Sequence, residues 1–427
     1  MISKTSYKNY ARCPRYFSLE LIEKRQTDAI VNAQDDEVRE MMQSMFSDGE
    51  NLLDVSNEQL EAMMLYFNKL EEISAKIVGE YFDGEITYSL KTKSQKSYDC
   101  WGENYQYICY VDIYLDKGQT FNILEVKATT TNKFTSLKYK ENKETFHLFE
   151  KVNNTYILQE ELDQNYDISN KYKNQRRKLF NKYSDTGKYV YDLAVQRWII
   201  EHHHLQNKTE HLLVNAKYYL VVLNGEYIFD GKTEIGDYPK IDNQEIACFI
   251  DLTAVTKEYQ SMIDLEVLEV EKHLDERELS EGSYNLGIHC QKKKTTECKY
   301  SSICWDILPK ANSLLTYIDN HHGFKDSNDT KHLPIDLINS GKVKMNDIPI
   351  SWLHREKNQI QRTVLNTGIT YKNNKKITDG LSVLKFPIYH LDFESFPCPL
   401  PRYHGEKPYT QSVFQYSLHV QEGYNDC

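Results

Sequence analysis

YVDIYLDKGQTFNILEVKATT, residues 110–130, reads as two runs of β-branched and aromatic residues joined by Asp116-Lys117-Gly118-Gln119, a hairpin feeding a sheet. Asp112 lies on its first strand. Glu125 and Lys127 stand two apart on the second strand and therefore project from one face. Hydrolysing a phosphodiester requires a divalent cation held by carboxylates, and Mg²⁺ is usually bound through one or two of these plus water and substrate phosphate. A neighbouring lysine can orient the attacking water and offset developing phosphate charge. Asp112 and Glu125 are thus candidate ligands for Mg²⁺ or Mn²⁺, with Lys127 assisting. An acid-x-base triplet arises by chance roughly eight times in a chain of this composition, so the weight rests on context. That context is an upstream strand aspartate and two charges set in an apolar strand, where burial without partners is costly. The alternative is an edge strand with a solvated face.

Outward from the hairpin, helical spacing over residues 35–75 predicts two helices, the first through Val38, Met41, Met42, Met45 and Phe46, the second through Leu60, Met63, Met64, Tyr66 and Phe67. ITYSL (86–90) reads as a strand. Residues 131–187 are polar, and KYKNQRRKLFNKY (171–183) is the most basic block of the chain. Its Arg176, Arg177 and Lys178 are candidates for tracking phosphates while neighbouring aromatics stack bases; the alternative is a solvated loop. YVYDLAVQRWIIEHH (189–203) predicts an amphipathic helix, AKYYLVVLNGEYIF (216–229) a hairpin turning at Asn224-Gly225, and KEYQSMIDLEVLEVEKHL (257–274) another helix. His202, His203 and His204 point in different directions on a helix and cannot serve one ion. Residues 320–335 read as a polar linker, 336–349 as a small helix-and-turn element, and an apolar strand begins at 386.

The chain has 427 residues, with 52 Lys and Arg against 63 Asp and Glu for a net charge of −11, nine Cys and 40% apolar residues. That length suggests two or three domains with real cores and excludes fibrous, collagen-like and wholly disordered classes. No signal peptide or membrane span is visible, so a cytoplasmic protein without membrane contact is expected. An odd number of cysteines without a secretion signal argues for buried thiols or a metal site over a disulfide framework. An acidic balance confines any DNA contact to a local basic channel.

Asp112, Glu125 and Lys127 across a hairpin resemble the PD-(D/E)XK nuclease superfamily, and YDLAVQRW is similar to the helical Gln motif of its RecB-type branch. The resemblance implies a nuclease core with Gln196 at the edge of the site, positioning substrate or water, and Tyr191 and Asp192 flanking it. It also implies a helical acidic residue before the sheet, for which Glu40 in DDEVREMMQSMFSDG is the first choice and Glu37 the second.

Cys290, Cys298 and Cys304 lie in HCQKKKTTECKYSSICW and Cys13 in SYKNYARCPRYF. Four thiolates can hold an iron–sulfur cluster. Zinc competes, although its ligands are usually spaced two to four apart, and His289 offers a mixed site; buried structural cysteines remain a third possibility. A Cys-Pro-Arg near the start with a distant trio resembles iron–sulfur nucleases of the AddB kind and CRISPR-associated RecB-like exonucleases. The resemblance implies a [4Fe-4S] cluster on Cys13, Cys290, Cys298 and Cys304, stapling the nuclease domain.

IYHLDFESFPCPLPRYHGEKPYTQSVFQYSLHV carries Asp392 and Glu394 on one strand face and is similar to the first motif of DEDD-type 3′–5′ exonucleases. TQSVFQYSLHV resembles an uncharacterised bacterial family, a domain of unknown function, that joins a RecB-type nuclease domain to such a segment. Further acidic motifs would follow Cys427, so a fragment or split product is expected. The expected architecture is α/β: a PD-(D/E)XK core with a cysteine-bound staple over 1–310, a linker with a small helical element over 311–385, and the start of an RNase H-like domain over 386–427. The expected function is Mg²⁺- or Mn²⁺-dependent DNA cleavage at ends or single strands, with RNA not excluded. The alternatives are an inactive nucleic-acid-binding scaffold and a zinc-stabilised interaction protein.

Overall fold

The computed structural model describes residues 1–26, 57–90, 94–141, 143–163, 165–166, 168–232, 237–275, 285–291, 298, 300–319 and 322–423. The chain forms two units. One comprises Met1–Gly282, Lys294–Thr296 and Pro397–Gln411; the other comprises Ser283–Lys293, Glu297–Phe396 and Ser412–Cys427.

The first unit opens with a short strand, β1 (Ile2–Ser3), and helix α1 (Lys4–Arg12), whose N-cap Ser3 accepts a hydrogen bond from the Ser6 N–H. Helices α2 (Tyr16–Gln26) and α3 (Asn57–Tyr81) follow, then strands β2 (Glu85–Tyr88), β3 (Lys96–Trp101), β4 (Gln106–Val111), β5 (Ile113–Asp116) and β6 (Phe121–Thr130). Next come hairpins β7 (Lys138–Glu141) with β8 (Glu144–His147) and β9 (Phe149–Val152) with β10 (Thr155–Leu158). Helix α4 (Gly187–Gln206), strands β11 (Lys217–Leu223) and β12 (Ala247–Asp251), and helices α5 (Thr253–Glu258) and α6 (Gln260–Asp275) follow, with shorter helical segments such as Asn170–Arg176 between β10 and α4.

The fold is mixed α/β. A seven-stranded sheet runs β2-β5-β6-β11-β12-β10-β9, and a smaller one runs β1-β4-β3. β6 is parallel to β11 and antiparallel to β5, so the large sheet is mixed, and helices flank it. KYYLVVL of β11 is buried over Tyr218–Leu223, a continuous apolar run of the kind a parallel strand covered on both faces needs. The predicted hairpin is present: β5 and β6 pair, and Gly118 takes the left-handed turn at φ +77° that a side chain would resist.

Three expectations change. The strand YVDIYL breaks at Asp112, where the chain leaves the small sheet at Val111 and enters the large one at Ile113. Asn224-Gly225 does not join two adjacent strands, because the partner of β11 is β12, reached after the 224–246 excursion; the Asn224 amide ties its base by donating to Gln244 Oε1 and the Glu245 carbonyl. Helix α4 is buried on nearly every side over Tyr189–Ile200, because it packs against β3, β4, β11, α1, α5 and α6 at once. The first helix expected within 35–75 lies outside the described residues; the second is α3.

The second unit has its own core of Leu286, Leu314, Tyr317, Phe324, Ile335, Leu337, Ile338, Met345, Ile348 and Leu353. The stretch expected as a polar linker supplies part of it, since Phe324 is buried in a two-strand ladder and Ile335 packs on the core, while helix Pro334–Asn339 carries Leu337 and Ile338 from the expected helix-and-turn element. Arg362 locks this core, donating to the Tyr317 hydroxyl and to the Met345 and Ile348 carbonyls.

Phe249 on β12 is fully buried with its ring edge-on to Phe82 at 4.8 Å and Tyr81 at 5.9 Å. Phe249→Ala is expected to destabilise the first unit by about 3–5 kcal/mol in denaturant unfolding; a change under about 1 kcal/mol would contradict this account of the sheet core.

Candidate active site

Glu125 sits in mid-β6, 2% exposed, where an ionised carboxylate without partners would cost several kcal/mol. Its partners come from three parts of the chain. Lys127 Nζ lies 2.9 Å from Oε1, Lys4 Nζ lies 2.6 Å from the same oxygen, and Gln196 Nε2 donates to Oε2 at 2.7 Å. Gln196 also donates from Nε2 to the Tyr110 carbonyl at 2.8 Å. Two acceptors around one atom fix which end of that amide is the NH₂. Its Oε1 is left buried and unpartnered, an acceptor suited to a water proton.

Asp192 lies four residues before Gln196 and so on the same face of α4. It gathers three ammonium groups: Lys127 at 3.0 Å and Lys4 at 3.2 Å on Oδ2, and Lys8 at 2.5 Å on Oδ1. Burial opposes its ionisation, yet Lys127, Lys4 and Lys8 together hold the carboxyl well below the usual range. Asp112, half-buried at the junction of β4 and β5, accepts from the Val126 N–H at 2.8 Å, which ties it to the strand carrying Glu125 and Lys127. Burial first, then the carboxylates of Glu125 and Glu71, push the Asp112 carboxyl well above its ordinary range, against the pull of Lys127 and Lys4.

The structure therefore brings Asp112, Glu125, Lys127 and Gln196 together. Glu37 and Glu40 lie outside the described residues. Glu71, half-buried on α3, is the helical carboxylate that acts on Asp112, and sequence reasoning missed it. Its signal is an acid within the stripe Phe67, Leu70, Ser74 and Val78 that α3 turns inward. Lys4 and Lys8 were missed as well.

The basic block divides. Arg176 is bound to Glu160 and Glu258, leaving Arg177 and Lys178 exposed. The three histidines diverge: His202 bonds the Trp198 carbonyl, His203 the Asp99 carbonyl, and His204 the Thr209 hydroxyl, with burial lowering the His204 pKa to about 4. Cys13 caps α1 in the first unit. In the second unit Cys290 and Cys304 pack on the core and Cys298 is half-buried; all four are thiols outside any disulfide. Among the described residues, no three His, Cys, Asp or Glu side chains gather in a group that could hold a metal ion. Asp392 and Glu394 are exposed on strand β13 (Ile388–Pro397), which pairs with β14 (Gln411–Gln421).

Residues 389–427 match a family described as a domain of unknown function, DUF2779. No curated protein and no solved structure matches the chain. Within the matched stretch, Pro397–Gln411 belongs to the first unit, where Gly405 and Glu406 form two backbone hydrogen bonds with Phe229 and the Tyr409 hydroxyl donates to the Ala128 carbonyl, next to Lys127. Among the described residues no helix is long and apolar enough to cross a membrane.

Asp192→Asn leaves three ammonium groups around a neutral amide and is expected to destabilise the first unit by about 3 kcal/mol or more at pH 7. Because its folded pKa is depressed, the stability Asp192 contributes is present above its unfolded value near ~3.9 and is lost as pH falls through the folded value. Denaturant unfolding should therefore show the difference between wild type and variant shrinking below about pH 4; a difference unchanged down to acid pH would contradict the charge assignment.

Proposed function

We propose that this protein is a metal-dependent nuclease with a PD-(D/E)XK-type core, acting on DNA ends or single strands. The observation that carries the reading is the convergence on one buried carboxylate: Lys127 and Gln196 hold the two oxygens of Glu125 at 2.9 and 2.7 Å, with Asp112 tied to the same strand. Asp112 and Glu125 fit a hard divalent cation, because both are oxygen donors and the negative charge of Glu125 and Glu71 opposes ionisation of Asp112, a repulsion that a cation relieves. When bound, Mg²⁺ or Mn²⁺ supplies Lewis-acid polarisation of the phosphodiester.

The rest of the chemistry belongs to the chain. Gln196 fixes the orientation of Glu125, and its unpartnered Oε1 accepts a hydrogen bond from a water entering the site. Lys127 orients that water and opposes the charge that develops on the phosphate. Asp192 keeps Lys127 aimed by pairing with its ammonium group at 3.0 Å. Arg177 and Lys178 offer exposed charge for the phosphate backbone. In the matched C-terminal stretch, Asp392 and Glu394 would be the first acidic motif of a DEDD-like exonuclease segment. A ligand set of Cys13, Cys290, Cys298 and Cys304 for a [4Fe-4S] cluster, with zinc as the alternative, rests on the sequence resemblance alone.

A second reading, a nucleic-acid-binding scaffold without catalysis, is favoured by one observation: Lys4 already balances Glu125. Degradation of 5′- and 3′-end-labelled single- and double-stranded DNA with Mg²⁺ or Mn²⁺ separates the two. Lys127→Ala should lower cleavage by roughly a hundredfold or more with DNA affinity retained; cleavage at the wild-type rate would remove the site assignment, and DNA binding without cleavage by the wild type would select the scaffold.

Iron and acid-labile sulfide in anaerobically purified protein, lost in Cys290→Ser, is the outcome expected for the cysteine set; stoichiometric zinc would select the alternative, and neither metal would remove it.

A further inference from the structure

Lys4 and Lys127 touch the same two oxygens. Lys4 Nζ stands 2.6 Å from Glu125 Oε1 and 3.2 Å from Asp192 Oδ2, while Lys127 Nζ stands 2.9 and 3.0 Å from that pair. The four groups form a closed ring of alternating charge, each side chain at most 10% exposed. Lys8 reaches the ring only at its far side, through Asp192 Oδ1. Lys4 is the first residue of α1, where the positive end of the helix disfavours a cation, so its burial there depends on the two carboxylates.

We infer that Lys4 is the resident cation of the metal-free site: its ammonium takes the place of a divalent metal ion at Glu125 Oε1, and Lys4 is displaced when the ion binds. This rests on Asp112 and Glu125 being the metal ligands. Glu125 Oε2 is engaged by Gln196, so an incoming ion meets Oε1, which both ammonium groups share. Lys127 cannot withdraw far, because it is two residues from Glu125 on a strand laddered to β11 as far as Val222. Lys4 stands on a separate helix held at its start by a strand pairing of only two residues, Ile2 and Ser3 with β4, and it is the one that gives way. Charge favours the same exchange. The ring is neutral with both lysines in place, and a divalent ion added to it would leave two positive charges in excess. Withdrawal of Lys4 halves that excess.

The test is Mn²⁺ binding by isothermal titration calorimetry at fixed pH and salt, on the full chain without DNA, comparing wild type with Lys4→Met, Lys4→Gln, Lys4→Arg and Lys8→Met. Removing the competing ammonium should tighten Mn²⁺ binding at least roughly tenfold in Lys4→Met and Lys4→Gln, while Lys8→Met, which deletes the same charge without touching Glu125, shifts it less than about threefold. Lys4→Arg should return the affinity to within about threefold of wild type. Equal tightening by the Lys4 and Lys8 substitutions would mean a general field effect and overturn the inference, as would unchanged or weaker binding in Lys4→Gln. Absence of Mn²⁺ binding in every variant overturns it too. Wild-type cleavage of end-labelled DNA in that case would leave the nuclease reading standing, whereas loss of both would sink the site itself.

Discussion

A carboxylate in the middle of a buried strand constrains everything around it. Glu125 occupies a position that the pattern of β6 assigns to the interior, and an ionised group there is tolerated only with partners on both oxygens. Those partners come from the first helix, from the same strand and from α4, residues 121 positions before it to 71 after it. Burying Glu125 in the central sheet goes with bringing α1 and α4 onto the same spot. The charge ring is the element that the sheet and the two helices share.

The parallel pairing of β6 with β11 fixes the height at which Glu125 and Lys127 stand, opposite Leu220 and Val222. Asp112 gains its place from a different device. The chain changes sheets at that residue, so its carboxylate emerges between the small sheet and the large one, where the Val126 N–H holds it. The loop Pro397–Gln411 adds a third constraint: Tyr409 binds the Ala128 carbonyl directly after Lys127, and Tyr66 lies beside Cys398. The stretch matched to the domain of unknown function therefore contributes structure next to the candidate site as well as the exposed strand pair beyond it.

The hairpin with Glu125 and Lys127 is legible in the sequence because turn chemistry and strand alternation are local signals. Gln196 is legible through a motif, and Asp192 is visible beside it. Lys4 is not, since an ammonium at a helix start carries no mark of a contact made 188 residues away. Glu71 escapes because the reading favoured an acid nearer the start of the chain, although its place in an apolar stripe is detectable. The strands β7 to β9 are hidden by composition: two-stranded and edge elements keep charged residues, such as Lys138, Lys140 and Glu150, on exposed faces. Helix α4 is misjudged as amphipathic because the histidines and Gln206 at its end are polar while the rest is buried.

The central claim is that Asp112 and Glu125 together hold a divalent cation. Crystals of the protein equilibrated with Mn²⁺ and measured at a wavelength where manganese scatters anomalously test it directly. The account predicts an anomalous peak within coordination distance of both carboxylates, with the Glu125 side chain still bound to Gln196. No peak there at saturating Mn²⁺, or a peak at other side chains only, would contradict it.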